Sequence, residues 1–294
     1  MSKGLKALWR ERLPRACVTA VALSGIWLMA FILLFLLREG APILREADFG
    51  ELLTGRLWYP AARQPRFGML PLICGSLSVT LLSSAAAIPL GVALALFLSD
   101  VCPPWAREFC KVSLEILGFL PSVVLGFMGM TLVAPFLQTR FELLSGLNML
   151  NASFFLGVMV LPTIASLAED SLRAVPHAQR DASYALGATR CETLFKVVLP
   201  GAYRGISQAA ILGVMRSAGE TMVVLMIAGG AALIPSSPFD PVRPLTSAIA
   251  AEMGETPVGS AHYHALFFMG CLLLFFTLAL NWLALRVEFR REEK

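Results

Sequence analysis

The sequence predicts an all-α membrane protein that crosses the bilayer six times, and three observations lead to this prediction. First, 57% of the 294 residues are hydrophobic and only 15% are charged, against about 25% charged in an ordinary soluble domain. Second, five windows without Asp, Glu, Lys or Arg are each longer than the roughly 20 residues that a helix needs to cross a bilayer. Third, a span in lipid must satisfy its own backbone hydrogen bonds, so these windows are expected to be helices. The same composition excludes a disordered chain, and a net charge of +4 leaves no basic stripe for nucleic acid.

The six predicted spans follow one another along the chain. They cover residues 17–37, 72–98, 114–137, 152–168, 206–234 and 265–286. The first follows five basic residues, as a signal peptide would, but its apolar run is too long for one. We therefore expect it to remain in the membrane as an anchor. Residues 1–16 are then a cytoplasmic N-terminal segment, and residues 17–294 form the membrane domain, with its core at about 72–286.

The distribution of Lys and Arg favours a topology with both termini in the cytoplasm. In this orientation the inner segments carry 16 of the 24 basic residues and the outer loops carry 7, as the positive-inside rule requires. The remaining basic residue, Arg216, lies inside the fifth span.

The cysteines and histidines do not suggest a metal centre or a catalytic nucleophile. The six cysteines fall in or beside spans, or on the reducing cytoplasmic side, where thiols stay free. His262 and His264 form an H-x-H on the outer side, without a third ligand nearby in the sequence. We expect them to lie at a hydrated loop end.

The fourth connection, residues 169–205, is longer than the turns that usually join packed helices. Pro176 can open a helix over Ala178–Ala188, and Gly187 interrupts it. A second amphipathic piece, Glu192–Leu199, is stopped by Pro200 and Gly201. The pattern predicts a helical hairpin under the membrane, which either presents a docking surface to a cytoplasmic partner or is solvated without one.

Two charges lie inside the fifth predicted span. Arg216 and Glu220 are four positions apart, so on a continuous helix they share one face within reach of each other. A charge at mid-membrane costs about 2.5–3.5 kcal/mol on insertion scales and usually lines a bundle interior or an aqueous path. Either the two side chains form an ion pair that fixes helix packing, or Arg216 provides a positively charged binding site, a station, for an anion that crosses the membrane. In the second case Glu220 weakens the binding of that anion. Gly219, between them, would let a helix or a ligand approach closely.

Pro121 is a candidate hinge in the third predicted span. Prolines in membrane helices kink the axis and free backbone carbonyls. Pro121 lies between Gly118 and Gly126, so it predicts a flexing point for alternating access, with a static kink as the alternative.

The fourth connection also carries a signature. Asp181-Ala182-Ser183, three residues, Gly187, nine residues and then Val197-Val198-Leu199-Pro200 closely resembles the EAA motif of ABC importer permeases. The family pattern is E-A-A, three residues, G, nine residues, I-x-L-P. The resemblance implies an ABC transporter type-1 transmembrane domain. It also implies that Asp181, Ala182, Ser183, Gly187, Leu199 and Pro200 belong to a coupling helix that docks onto an ATPase.

Further segments resemble the PstC-type permeases of phosphate importers. They are Phe67–Ile73, Pro121–Val124 with Gly126, Leu161–Ile164, Leu245–Glu255 and Arg216–Met222. Leu125 stands where the family pattern P-S-V-V-Y-G has Tyr. The resemblance implies a permease that forms half of a pathway for inorganic phosphate, with Arg216, Gly219, Glu220 and Thr221 in that pathway.

The same resemblance implies the rest of the assembly. It consists of a second related permease (PstA type), two ATPase subunits (PstB type) and an external phosphate-binding protein (PstS type), in the lipid of a bacterial inner membrane. The chain has no G-x-x-x-x-G-K-[ST] loop, so we expect it to be no enzyme and to bind no cofactor, with ATP hydrolysed by its partner. Two alternatives stay open: a permease for another oxyanion, such as molybdate or sulfate, and a membrane scaffold or enzyme without transport activity.

Overall fold

The computed structural model describes residues 3–289, which are predominantly helical. Five helices are long and apolar enough to cross a membrane, and a bent pair makes a sixth span if it is counted as one. The five are Cys17–Arg45, Leu70–Val101, Ser122–Arg140, Met149–Arg173 and Ala261–Arg286; the pair is Arg190–Gly201 with Tyr203–Ala218, bent by 67°. The prediction of an all-α polytopic membrane protein is confirmed. Arg290, Arg291 and Lys294, which contribute to the predicted inner positive charge, lie outside the described residues.

The elements are as follows. The first part of the chain forms α1 (Lys3–Gly40) with a 3-10 turn (Ala41–Arg45), α2 (Phe49–Thr54), a short antiparallel hairpin of β1 (Trp58–Tyr59) and β2 (Arg66–Phe67), and α3 (Leu70–Leu96) with a π turn (Phe97–Val101). The middle forms α4 (Pro104–Gly118), α5 (Ser122–Met128), a π turn (Gly129–Val133), α6 (Ala134–Arg140) and α7 (Met149–Arg173). The remainder forms α8 (His177–Ala185), α9 (Arg190–Thr193), a π turn (Leu194–Val198), α10 (Leu199–Gly201), α11 (Tyr203–Ala218), α12 (Met222–Ile227), α13 (Leu245–Glu252) and α14 (Ala261–Phe289).

Helix α7 lies at the centre and packs along α3 and α11. Ile164 of α7 fits between two glycines on these neighbours. A Cβ added at Gly91 would lie 2.8 Å from Ile164 Cγ2, and one added at Gly213 would lie 2.6 Å from Ile164 Cδ1. Such distances are too short for real carbon contacts, so the absence of a side chain is what lets these helices approach, as is usual in membrane bundles. At the periphery α1 packs on α14.

The third membrane-crossing helix begins at Ser122, so the predicted start at residue 114 is wrong. Residues 104–118 form a separate amphipathic helix, α4. The helix does not continue because Pro121 has no N–H to donate and disfavours helical geometry in the residue before it. The length of the uncharged window could not reveal the break between α4 and α5, because the intervening Phe119 and Leu120 are apolar.

The fifth predicted span, residues 206–234, is also discontinuous. Helix α11 ends at Ala218, and α12 covers only Met222–Ile227. The chain then leaves the helix through Gly229 and Gly230, whose φ angles of 92° and 68° are readily adopted only by glycine. The predicted single helix is therefore wrong both in its middle and at its C-terminal end.

The fourth connection is a helical hairpin, as predicted. Helix α8 starts directly after Pro176 and ends at Ala185, slightly before the predicted end. Gly187 has a φ of 86°, which turns the chain into the second piece, Arg190–Gly201. The hydroxyls of Ser183 and Thr193, 2.9 Å apart, join the two arms.

Candidate functional site

Glu220 occupies the break between α11 and α12. Its Oε1 accepts hydrogen bonds from the backbone N–H groups of Met222 (3.0 Å) and Val223 (3.3 Å), which are otherwise unsatisfied at the start of a helix. The backbone carbonyl of Glu220 accepts a hydrogen bond from Thr246 Oγ1 at 2.8 Å. The carboxylate therefore caps α12, and this local bond explains why the fifth span restarts there.

Arg216 lies in the last turn of α11 and joins three helices. Its Nη1 donates to Thr163 Oγ1 of α7 at 2.7 Å, and its Nη2 donates to the carbonyl of Gly118, the last residue of α4, at 3.3 Å. Among the side chains that the structure describes, neither Arg216 nor Glu220 takes part in a salt bridge. The expectation that the two form a pair on one helical face is wrong, because the helix ends between them.

A cavity of about 180 Å³ lies beside Arg216. Two cations, Arg216 and Lys111, face it together with the hydroxyls of Thr163 and Ser166, and one carboxylate, Glu115, also lines it. Cations and hydroxyl donors are the groups that bind oxyanions. Glu220 instead lines a separate space of about 10 Å³, so the structure places the two charged residues of the fifth span in different surroundings.

The other two predicted pathway residues, Gly219 and Thr221, lie in the break between α11 and α12. A Cβ added at Gly219 would lie 3.5 Å from the carbonyl oxygen of Met215, an ordinary van der Waals contact. No neighbouring helix of the described chain approaches Gly219 closely. Close approach by another helix or a ligand at this glycine stays a prediction. Thr221 directly precedes α12.

Sequence reasoning missed a buried charge cluster next to the cavity. Glu169, in the C-terminal part of α7, is fully buried and forms an ion pair with Lys111 of α4. Arg173 Nη1 lies 3.6 Å from Glu169 Oε1, and Lys111 Nζ lies 3.4 Å from Asp170 Oδ1. The available signal was Glu169 itself, the first charge after a long apolar window.

The helical hairpin of residues 177–201 is attached to the bundle through Arg180. This side chain forms an ion pair with Asp100, at the end of α3, and its Nη2 donates to the carbonyl of Leu172 in α7 at 2.9 Å. The opposite side of the hairpin is exposed and includes Leu186, which is 90% exposed. Asp181 and Ala182 are exposed, as is Pro200, while Leu199 packs against a buried cluster.

A capping box fixes the second arm of the hairpin. The Thr189 hydroxyl accepts a hydrogen bond from Glu192 N at 3.3 Å, and the Glu192 carboxylate accepts one from Thr189 N at 2.9 Å. Hydrogen bonds from the backbone and side chain of Thr189 and from Lys196 lower the pKa of Glu192 to about 2. The carboxylate is thus ionised at neutral pH, which favours this geometry.

The candidate hinge, Pro121 with Gly126, lies between the end of α4 and a close contact of α5 with α12. Pro121 sits at the start of α5, and a Cβ added at Gly126 would lie 2.7 Å from Met226 Sδ of α12. Gly126 therefore brings α5 and α12 together. Flexing at Pro121 stays a prediction.

His262 belongs to a hydrogen-bond network around Glu252, and His264 contacts the end of α1. His262 Nε2 lies 2.7 Å from Glu252 Oε2, and the same carboxylate receives hydrogen bonds from Arg243 and Trp58. His264 Nδ1 lies 2.7 Å from the carbonyl oxygen of Glu39. Among the described residues no group of three His, Cys, Asp or Glu could hold a metal ion.

Comparison with known proteins gives consistent matches. The family model described as "Binding-protein-dependent transport system inner membrane component" matches residues 87–293. The "Probable ABC transporter permease protein YqgH" of Bacillus subtilis is 38% identical, over 88% of this chain and 85% of the relative. The "Phosphate transport system permease protein PstC" of Mesorhizobium japonicum is 30% identical, over 83% of this chain and 81% of the relative.

Solved structures show the same fold at low sequence identity. A chain of a bacterial ABC transporter involved in the import of the acidic polysaccharide alginate matches 97% of this chain and 99% of its own length, with a TM-score of 0.63 and 14% identity. A chain of the MetNI methionine ABC transporter matches 74% of this chain and 95% of its own length, with a TM-score of 0.58 and 20% identity.

Proposed function

The chain belongs to the family of binding-protein-dependent transport system inner membrane components, and we propose that it is the permease subunit of an ATP-driven importer of inorganic phosphate. The observation that carries the proposal is the cation-lined cavity beside Arg216. The substrate is supported by relatives whose names state phosphate transport. The chain forms half of the translocation pathway in this proposal.

Arg216 is suited to hold an oxyanion for a short time. Neutral acceptors, Thr163 and Gly118, orient its guanidinium, so its positive charge is left for a substrate oxygen. At ~5 Å and an effective dielectric of about 20, the attraction between unit charges is about 3 kcal/mol. This is enough to offset much of the desolvation of the anion without trapping it.

In this proposal ATP hydrolysis drives transport through the helical hairpin of residues 177–201, which we call the coupling hairpin. The exposed side of α8 docks onto an ATPase subunit of the PstB type, and two such subunits close on ATP. Arg180 then transmits the displacement to α3 and α7, to which it is bonded. A second permease (PstA type) completes the pathway, and an external phosphate-binding protein (PstS type) delivers the substrate at the outer loops of a bacterial inner membrane.

Phosphate uptake by vesicles that contain the reconstituted complex and internal ATP tests the proposal. Arg216→Ala should reduce uptake at least about tenfold, the effect of losing roughly half of the attraction worked out above. Arg204→Gln is the matched control, because it removes the same charge from the same helix away from the cavity. If Arg216→Ala transports phosphate like the control, or if the complex carries sulfate or molybdate in preference to phosphate, the assignment is wrong.

Glu220→Gln tests the second charge of the fifth span. Glutamine keeps an oxygen that can accept from the N–H groups of Met222 and Val223, so we expect normal assembly. The loss of the negative charge should alter the uptake rate measured in the same vesicles. A normally expressed variant with the wild-type rate would remove Glu220 from the pathway.

A further inference from the structure

Lys111 is a cation whose position suggests more than a structural ion pair. It lies on α4, lines the same cavity as Arg216 and keeps 30% of its side chain exposed. The apolar side chains of α4, among them Trp105 and Phe109, are exposed on the surface of the chain. The helix therefore turns its charged face with Lys111 towards α7 and the cavity.

The cavity follows one face of α7 from Arg216 towards the coupling hairpin. Thr163, which holds Arg216, and Ser166, which lines the cavity, are followed by Glu169, which pairs with Lys111. These three positions are three residues apart and lie on one side of the helix. With a rise of about 1.5 Å per residue, the groups that hold the two cations are separated by roughly 9 Å along the helix.

Glu169 is placed to position Lys111. Its side chain is fully buried, and neither carboxylate oxygen receives a geometrically good hydrogen bond, so ion pairs alone compensate the charge. Burying a carboxylate in this way costs desolvation free energy, and replacing a buried ion pair by apolar residues often leaves the protein equally stable. A positioning role explains why the buried Glu169 carboxylate is present: it holds the ammonium of Lys111 at the edge of the cavity.

We propose that Lys111 forms a second oxyanion station, through which a phosphate that leaves Arg216 passes before it reaches the cytoplasm, and that Glu169 is the positioning residue for it. This inference rests on the proposed function. The two stations carry unlike cations, a guanidinium held by neutral groups and an ammonium already paired with the carboxylates of Glu169 and Asp170. The second therefore holds the anion more weakly, which favours release in the inward direction.

The test uses the reconstituted complex and four variants: Lys111→Gln, Lys111→Gln with Glu169→Gln, Lys111→Arg, and Arg107→Gln as a control on the same helix outside the cavity lining. Lys111→Gln alone leaves a buried charge and can fail to assemble. The double variant removes one charge of each sign, so the net charge of the cluster with Arg173 and Asp170 is unchanged.

Two quantities are measured, the maximal rate of phosphate uptake and the concentration of phosphate inside the vesicles that halves it. In the double variant the uptake rate should fall at least fivefold, and the half-inhibitory internal concentration should rise about tenfold because the inward station no longer fills. Lys111→Arg and Arg107→Gln should stay within twofold of wild type in both quantities.

The outcomes separate the two proposals. If the assembled double variant takes up phosphate and responds to internal phosphate like wild type, Lys111 and Glu169 are a structural pair and the second station is refuted. If wild type does not transport phosphate, or Arg216→Ala retains full uptake, the proposed function itself fails, whatever Lys111 does.

Discussion

Replacing Arg180 with Gln should uncouple ATP hydrolysis from transport, because this side chain connects the coupling hairpin to two membrane helices. The guanidinium pairs with Asp100 at the end of α3 and donates to the carbonyl of Leu172 in α7. Loss of the charge removes the ion pair with Asp100 and the guanidinium bond to Leu172, and leaves the Ser183–Thr193 contact, which lies within the hairpin. Helix α8 has no buried residue of its own to replace these contacts. Movement of the ATPase would then displace α8 without displacing the bundle.

The magnitude follows from the burial of the pair. Exposed ion pairs are typically worth about 0.2–1 kcal/mol, and breaking a fully buried pair costs about 3–5 kcal/mol. The side chains of Arg180 and Asp100 are 14% and 18% exposed, so we place the cost at about 2 kcal/mol, between those limits. This corresponds to a change of about 30-fold in the equilibrium between attached and detached α8.

The assay compares ATP hydrolysed with phosphate transported in the same vesicles. Arg180→Gln should raise this ratio severalfold, Asp100→Asn should have a similar effect, and the double variant should be little worse than either, since both remove the same contact. Arg204→Gln, which also removes a positive charge but from the start of α11, is the control. A wild-type ratio in Arg180→Gln would refute the view that this contact transmits the motion.

Three further predictions concern conformation. Gly187→Pro should abolish uptake while leaving ATP hydrolysis by the partner intact, because proline fixes φ near −65° and Gly187 needs 86°. Gly146→Ala should lower the melting temperature measured in detergent, with a cost of about 3 kcal/mol or more, since its Cβ would lie 1.8 Å from the carbonyl oxygen of Ala134. The Glu192 cap has a pKa lowered to about 2, so its stabilising effect is complete above the ordinary carboxyl pKa near 4.5 and is lost as the pH falls towards 2. Hydrogen exchange of residues 189–193, corrected for intrinsic rates, should show this loss, and Glu192→Gln should remove the pH dependence.

The candidate site was only partly predictable from sequence. Arg216 stands out in any reading because an arginine in an apolar segment is rare, but its contacts with Thr163 and Gly118 connect three helices that hydropathy treats separately. Lys111 gave no local signal, since a lysine between two spans is what the positive-inside rule expects. Its pairing with the buried Glu169 depends on the packing of α4 against α7.

The sequence by itself determined the features that depend on neighbours along the chain. Apolar windows predicted most of the membrane helices, and Pro176 and Gly187 predicted the two ends of α8, because hydropathy and backbone preference are local properties. Only the tertiary structure decided the roles of the charges. Glu220 accepts hydrogen bonds from the first N–H groups of α12 instead of pairing with Arg216. The reason is that α11 ends before Glu220, so the four-residue spacing no longer places the two charges on one helical face, and the free N–H groups at the start of α12 lie next to the carboxylate.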